Sequence, residues 1–238
     1  MIGFVGKFPP DFYTGAGVSF QCPVPRDYLL YDSDNVLAVR VYDQYQAGGI
    51  VRGDVGLYES REFISPEFDL SGRWKFKTGD DEEWAKPCFD DSKWQEIKVP
   101  LFWEAQGYRD YDGFAWYRMR FKVPASLTGE RLMILLGRID DIDEAYLNGE
   151  LIGRTGSMRR SIGRVNPSTE WQQERAYVLP TSLLATDREN VLAVRVLDVW
   201  QHGGIYDGPV GLIKKSRYLS WKDRRSSIWE RLRDLLFR

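Results

Sequence analysis

An all-β fold, a two-sheet sandwich of Greek-key or jelly-roll type, is what this sequence predicts, and three observations carry it. Aromatic residues are abundant, with 9 Trp, 13 Tyr and 12 Phe beside 22 Gly in 238 residues, a composition that favours strands and turns. Short alternating segments recur between turn residues, without helix-period segments among them. Finally, a β-patterned unit occurs twice: residues 35–57, NVLAVRVYDQYQAGGIVRGDVGL, return as 190–212, NVLAVRVLDVWQHGGIYDGPVGL, with 16 of 23 positions identical and no gap.

The strands expected in the second copy are Trp74 to Lys77, Trp94 to Val99, Ala115 to Val123, Leu132 to Leu136 and Ala145 to Leu147. Glu150 to Ile152, Ala176 to Leu179, Val191 to Val196 and Val210 to Leu212 follow. Alternation is clearest in Trp116-Tyr-Arg-Met-Arg-Phe and in Val191-Leu-Ala-Val-Arg-Val-Leu, as a half-buried strand requires. Asp90-Asp91-Ser92 reads as a turn, and Pro180-Thr-Ser-Leu-Leu as a short helical corner. Asn148-Gly149 joins two alternating arms, and both residues accept the positive φ of a type I′ turn. At the end, Ile228, Leu232, Leu235 and Leu236 recur at helical spacing, which predicts an amphipathic helix over 220–238. Ser226 or Ser227 is the expected cap. That helix is expected to pack on the sandwich or to lead into a further domain, rather than to lie on a membrane surface.

The second copy has a long leader before the repeat, roughly residues 66–150; the counterpart of that stretch would lie before Met1. Met1-Ile2-Gly3 matches Leu151-Ile152-Gly153, the returning arm of the Asn-Gly hairpin. The expected organisation is therefore a partial, N-terminally truncated jelly-roll repeat at 1–62, a complete sandwich at 66–213 and a helix at 220–238. A strand without its partner exposes unpaired N–H and C=O groups. The expectation is thus that the chain is a piece of a longer protein, with a self-sufficient half-domain as the alternative.

Charge and cysteine content exclude several functions. Thirty-three Lys and Arg against 35 Asp and Glu give a net charge of −2, without the basic excess of a nucleic-acid binder. No apolar run approaches the roughly 18 residues of a transmembrane helix, and no signal peptide is legible at the start. With one His and two Cys, a His-rich site or a Cys₄ or Cys₃His zinc site cannot form. No cofactor and no metal site are expected. The acidic run Asp140-Asp141-Ile142-Asp143-Glu144 offers oxygen ligands for Ca²⁺, but a turn into the hairpin is the expected role. Arg118 and Arg195, in strands, are expected to pair with acids, and Arg159, Arg160 and Arg164 to sit in a solvated loop.

Several motifs stand in a definite order. Trp74 is followed by Asp90-Asp91-Ser92-Lys93-Trp94, Val99-Pro100 and Gly113-Phe114-Ala115-Trp116-Tyr117-Arg118 with Phe121. Asp143 and Tyr146-Leu147-Asn148-Gly149 come next, then Ile152-Gly153, Asn190-Val-Leu-Ala-Val-Arg-Val-Leu-Asp198 and Gly204-Ile205-Tyr206. Over roughly 66–213 the chain resembles the sugar-binding jelly-roll domain of family 2 glycoside hydrolases, whose fold is galactose-binding-like. It is also similar to accessory modules of sialate O-acetylesterase-like proteins and bacterial sensor ectodomains. The resemblance implies a carbohydrate partner, an adjoining domain and a periplasmic or extracellular setting. Where the family often reads Gly-Ile-Tyr/Phe-Arg, copy two reads Gly204-Ile205-Tyr206-Asp207 and lacks the Arg.

Catalysis within the chain is not expected. A (β/α)₈ barrel takes about 250 residues, and no Gly-x-Ser-x-Gly, Gly-x-Gly-x-x-Gly or P-loop pattern occurs. With 35 acidic residues, some carboxylate pair will always be close, so proximity alone says nothing about glycoside hydrolysis. Two loops have the composition of a sugar site, with aromatic faces for C–H surfaces and polar groups for hydroxyls. They are residues 102–112 and 200–207, which the resemblance places near one another. The candidate ligand-binding residues are Trp103, Tyr108, Asp112, Trp200, His202, Tyr206 and Asp207. Trp200, His202, Tyr206 and Asp207 become Tyr45, Ala47, Val51 and Arg52 in copy one, whereas Asp198 and both glycines are kept. The expected function is a non-catalytic carbohydrate-binding accessory domain. The alternative is a structural or sensor module that docks a neighbour, and a glycosidase in its own right ranks below both.

Overall fold

The computed structural model describes residues 5–6, 8–10, 12, 14–15, 24, 28–44, 48–57, 64–158 and 169–236, with side chains to 225 in the last helix. Arg159, Arg160, Arg164, Cys22, Tyr45 and Ala47 lie outside the described residues. The chain divides into two compact units, Met1–Ser60 and Arg61–Arg238.

The second unit is a sandwich of two antiparallel sheets, as the alternation requires. Its strands are β1 (Phe68–Asp69), β2 (Gly72–Thr78), β3 (Gln95–Val99), β4 (Gly113–Phe121) and β5 (Leu132–Asp140), then β6 (Ile142–Leu147), β7 (Glu150–Thr155), β8 (Glu174–Val178), β9 (Asn190–Asp198) and β10 (Gly204–Lys214). Four strands run β1-β10-β5-β8 and six run β3-β2-β4-β9-β6-β7. β9 lies between β4 and β6, with Val194 opposite Tyr117 on one side and Ala145 on the other. That central place explains why its apolar residues are buried on both faces: Leu192, Val194 and Val196 join the main core, and Ala193 packs outside with Trp84, Trp94 and Trp116. Asn148 and Gly149 turn β6 into β7 at φ 52° and 94°, as a type I′ turn demands.

Three elements differ from the sequence reading. β1 is only two residues long, too short to show alternation. Pro180 starts a turn rather than a helix, with the N–H groups of Leu183 and Leu184 donating to its carbonyl at 3.0 and 3.2 Å. The helix, α1 (Lys215–Leu236), grows directly out of β10 and runs through Ser226 and Ser227, so neither serine is its cap. Tyr218 and Trp221, three apart and thus on one face, anchor it on Ile64, Met133, Leu135 and Ile213, and Arg225 bonds Glu174 at 2.8 Å.

Three arginines that point inward are paired with acids. Arg118 reaches Asp91 at 2.7 Å and donates to the Trp84 carbonyl. Arg195 joins Asp80 and Glu144. Arg175, 1 % exposed, donates to Asp143 at 2.8 Å and to the Asp141 carbonyl at 2.7 Å, and the Tyr177 hydroxyl donates to the second Asp143 oxygen at 2.7 Å. Asp143 is thus fully used in the interior.

The first unit is described for only part of its length. Its repeat segment, residues 34–44, forms no ladder, and Val36, Leu37, Val39 and Val41 are exposed. An asparagine bridge nevertheless matches the second unit. The Leu30 N–H donates to Asn35 Oδ1 at 2.8 Å and Asn35 Nδ2 donates to the Leu30 carbonyl at 2.7 Å. Asn190 makes the same pair of bonds to Ala185, at 2.8 and 2.7 Å.

Candidate functional site

The two aromatic loops are joined by their backbones. Leu101 N–H donates to the Ile205 carbonyl at 2.9 Å, Trp103 N–H to the Gly203 carbonyl at 3.2 Å, and Gly203 N–H to Glu104 Oε1 at 3.0 Å. Gly203 and Gly204 permit this approach. A Cβ on Gly203 would strike the Trp103 ring, and one on Gly204, at φ +105°, the Tyr117 hydroxyl. Gln106, from a 3-10 turn at Glu104–Gln106, locks the first loop by accepting from Lys98 N–H at 2.6 Å and donating to the Lys98 carbonyl at 3.0 Å.

The candidate residues separate into groups. Trp103 is wholly buried, packed against Phe76 and Tyr111; it supports the loop from beneath and offers no open ring face. Tyr108 packs edge-on against Phe76 at 4.7 Å and lines a separate hollow of about 410 Å³ with Lys77, Lys93 and Trp94. Asp112 is exposed next to Gly113, which pairs with Asp198. Trp200 is 72 % exposed.

His202 and Tyr206 come together around a residue not on the candidate list, Phe102, and the Asp207 charge acts on Tyr206. Phe102 stacks on Tyr206 at 4.5 Å with ring planes 3° apart, and lies 5.2 Å from the His202 ring. The Tyr206 hydroxyl donates to the Trp171 carbonyl at 2.8 Å, and burial, followed by the nearby Asp140 and Asp207 charges, pushes it up to about 12 against the opposing pull of Arg138. Asp207 accepts from Arg138 at 2.7 Å, and Arg138 also holds the Gln172 carbonyl at 3.2 Å. Trp171, on a 3-10 turn at Glu170–Gln172, is 40 % exposed. Sequence reasoning missed Phe102, Arg138 and Trp171. Phe102 lay inside a marked loop, whereas Trp171 and Arg138 reach the patch from other elements.

Beneath this patch lies an acidic interior. Asp198 is 1 % exposed; its Oδ1 accepts from Trp200 N–H at 3.0 Å and its Oδ2 has no hydrogen-bond partner among the described residues. Burial raises it from 3.8 to about 7, with Asp141, Asp112 and Glu104 adding and the Trp200 N–H opposing. Asp140 is pushed up as well, by burial and then by Asp141, Asp198 and Glu104. No set of three or more His, Cys, Asp or Glu side chains among the described residues is arranged to hold a metal. No helix among them is long and apolar enough to cross a membrane.

The arrangement can present stacked aromatic rings, an imidazole and a carboxylate–guanidinium pair to a ligand with both apolar and hydroxyl faces. The family model described as the β-galactosidase second all-beta domain matches residues 79–203, just over half of the chain. Beta-galactosidase BoGH2A of Bacteroides ovatus is 27% identical over 156 residues, covering 60% of this chain and 17% of that protein. A β-glucuronidase of Formosa agariphila is 24% identical over 157 residues, covering 58% of this chain and 16% of that protein. A solved Bacteroides uniformis β-glucuronidase aligns with a TM-score of 0.49 at 26% sequence identity, covering 60% of this chain and 17% of that one. The chain thus spans about one sixth of the length of these relatives, at 17% and 16% of the two curated proteins.

Proposed function

Because this chain belongs to the family of the β-galactosidase second all-beta domain, we propose that its sandwich binds carbohydrate, without catalysing its cleavage, for a glycoside hydrolase. The sandwich is an accessory β domain of the β-galactosidase- and β-glucuronidase-like kind. The observation that carries the sugar role is the parallel-stacked Phe102–Tyr206 pair, with His202 beside Phe102 and with Asp207, next to Tyr206 in the chain, held on Arg138. Aromatic faces take the C–H surface of a pyranose, while carboxylate and guanidinium groups exchange hydrogen bonds with its hydroxyls. Trp171, whose carbonyl accepts from Tyr206, and Trp200, in the second loop, are exposed as well.

Titration calorimetry of the full chain with galactosides and glucuronides tests this reading. Phe102→Ala and Tyr206→Ala are each expected to weaken binding by about tenfold, the loss of about 1.4 kcal/mol of contact. Tyr206→Phe, which keeps the ring and loses only the bond to Trp171, is expected to retain most of it. Heats that stay flat for every sugar would sink the proposal.

One observation favours a second reading, in which the same end docks an adjoining protein surface. Trp171 and Trp200 are 40 % and 72 % exposed, and buried tryptophans are enriched at interface centres. On that reading Trp200→Ala leaves sugar heats unchanged and weakens association with the rest of the parent enzyme.

A further inference from the structure

The repeat supplies the same seven residues in two environments. Asn190–Val196 lies inside β9, where Asn190, Val191, Leu192, Ala193, Val194 and Val196 are all at most 2 % exposed. Asn35–Val41 has the identical sequence, yet Val36 is 93 %, Leu37 67 %, Val39 59 % and Val41 52 % exposed. Ile50, Val51, Val55 and Leu57, at the positions of β10, are also exposed.

Local structure is not what separates the two. Asn35 bonds Leu30 as Asn190 bonds Ala185. Asp43 also approaches Gly48 as Asp198 approaches Gly203: a Cβ on either glycine would lie 2.8 Å from Oδ2 of its aspartate. What separates them is the neighbours. In the second unit β4 and β6 flank β9, and β1 and β5 flank β10. There Asn148 accepts from Val191 N–H at 2.8 Å and donates to Asn190 Oδ1 at 2.9 Å, while Arg195 meets Glu144 and Asp80. Asn35, Val36 and Arg40 carry the same groups, and Arg40 is matched by a phenyl face, that of Phe8 at 4.4 Å.

We infer that residues 28–44 and 48–57 are a docking surface for a half-sandwich of this same family. The partner is a polypeptide with strands in the pattern of β4, β5 and β6, an Asn at the place of Asn148, an acid at the place of Glu144, and no β9 of its own. The second unit of another copy does not qualify, because its β4 and β6 already hold an identical β9. Residues 28–57 of another copy do not qualify either, because 35–57 repeats β9 and β10 and offers no strand in the pattern of β4, β5 or β6. Main-chain ladders supply the affinity of such strand addition, and alternate side chains its register. The inference is independent of sugar binding.

Hydrogen exchange on the full chain tests it, with peptides through Tyr42-Asp43 and Leu197-Asp198 telling the two copies apart. As the probe partner, residues 64–150 of this chain are grafted ahead of Met1. In the ungrafted chain 35–41 is expected to exchange quickly and 190–196 slowly. In the grafted chain 35–41 should slow by at least about a hundredfold, as a buried ladder does. Val39→Asp in the graft should return it to fast exchange while 190–196 stays protected. Fast exchange of 35–41 in the graft beside a protected 190–196 overturns the inference. So does protection of 35–41 in the ungrafted chain, whether it is independent of concentration or grows with it, the latter naming a second copy as the occupant.

Discussion

Two tryptophans one loop apart show what a residue's surroundings decide. Trp103 and Trp200 each sit in one of the two aromatic loops, which their composition marks alike. Trp103 is buried because Phe76, Tyr111 and Gly203 arrive from other segments, while Trp200 stays 72 % exposed. Trp171 was illegible for the complementary reason: it reaches the patch through a backbone carbonyl, which any residue would supply. The basic strand residues were more readable, since an Arg in an apolar strand needs an acid. At this scale the Arg175–Asp143 pair makes a firm prediction. Both side chains are fully buried and every Asp143 oxygen is used. Arg175→Met should cost about 3–5 kcal/mol, because it strands a buried carboxylate. Urea unfolding measures this, and a loss below about 1 kcal/mol would mean that Asp143 finds another donor or a proton.

Among the elements, the long strands were legible because β4 alternates over Trp116–Phe121 and β9 carries the recurring motif. Their ends were less so: β5 continues to Asp140 and β10 begins at Gly204, where irregular pairing blurs the period. Register shifts lie on both sides of the Asp207–Arg138 pair. Gly137, at φ +61°, is the reason the strands can close there, since a Cβ would collide with the Asp207 carbonyl. Gly137→Ala is therefore expected to destabilise the second unit by about 1–3 kcal/mol and to move Asp207 and Tyr206 together. An unchanged urea midpoint would show that β10 can yield without cost. The helix illustrates the opposite failure. Serine caps suggested a start in mid-segment, whereas Tyr218 and Trp221, docked on the four-stranded sheet, make the helix begin where β10 ends.

For the molecule as a whole, near-neutral charge conceals a strongly acidic interior at one end of the sandwich. Composition could exclude a basic binding face but could not reveal that Asp198, Asp141 and Glu104 converge, because they come from three distant segments. The consequence is a pH dependence of stability. Asp198 titrates near 7 in the folded chain against an ordinary 3.8, so the folded state holds its proton longer than the unfolded state does. Stability from this group is fully present below about pH 4 and is lost as pH rises through about 7. Asp198→Asn should remove that slope, gaining on the parent in urea midpoints from about pH 4 to about pH 7 and levelling off above it. Parallel curves would contradict the assignment. The asparagine bridges at Asn35 and Asn190 act on time rather than on pH. Each joins residues only five positions apart and needs no distant residue, and loops of about ten residues close within roughly 10–100 ns. β4 and β6 arrive from far along the chain, and such contacts form slowly. A refolding chain can therefore set where β9 starts before either neighbour reaches it, and the same early event is available to residues 30–35.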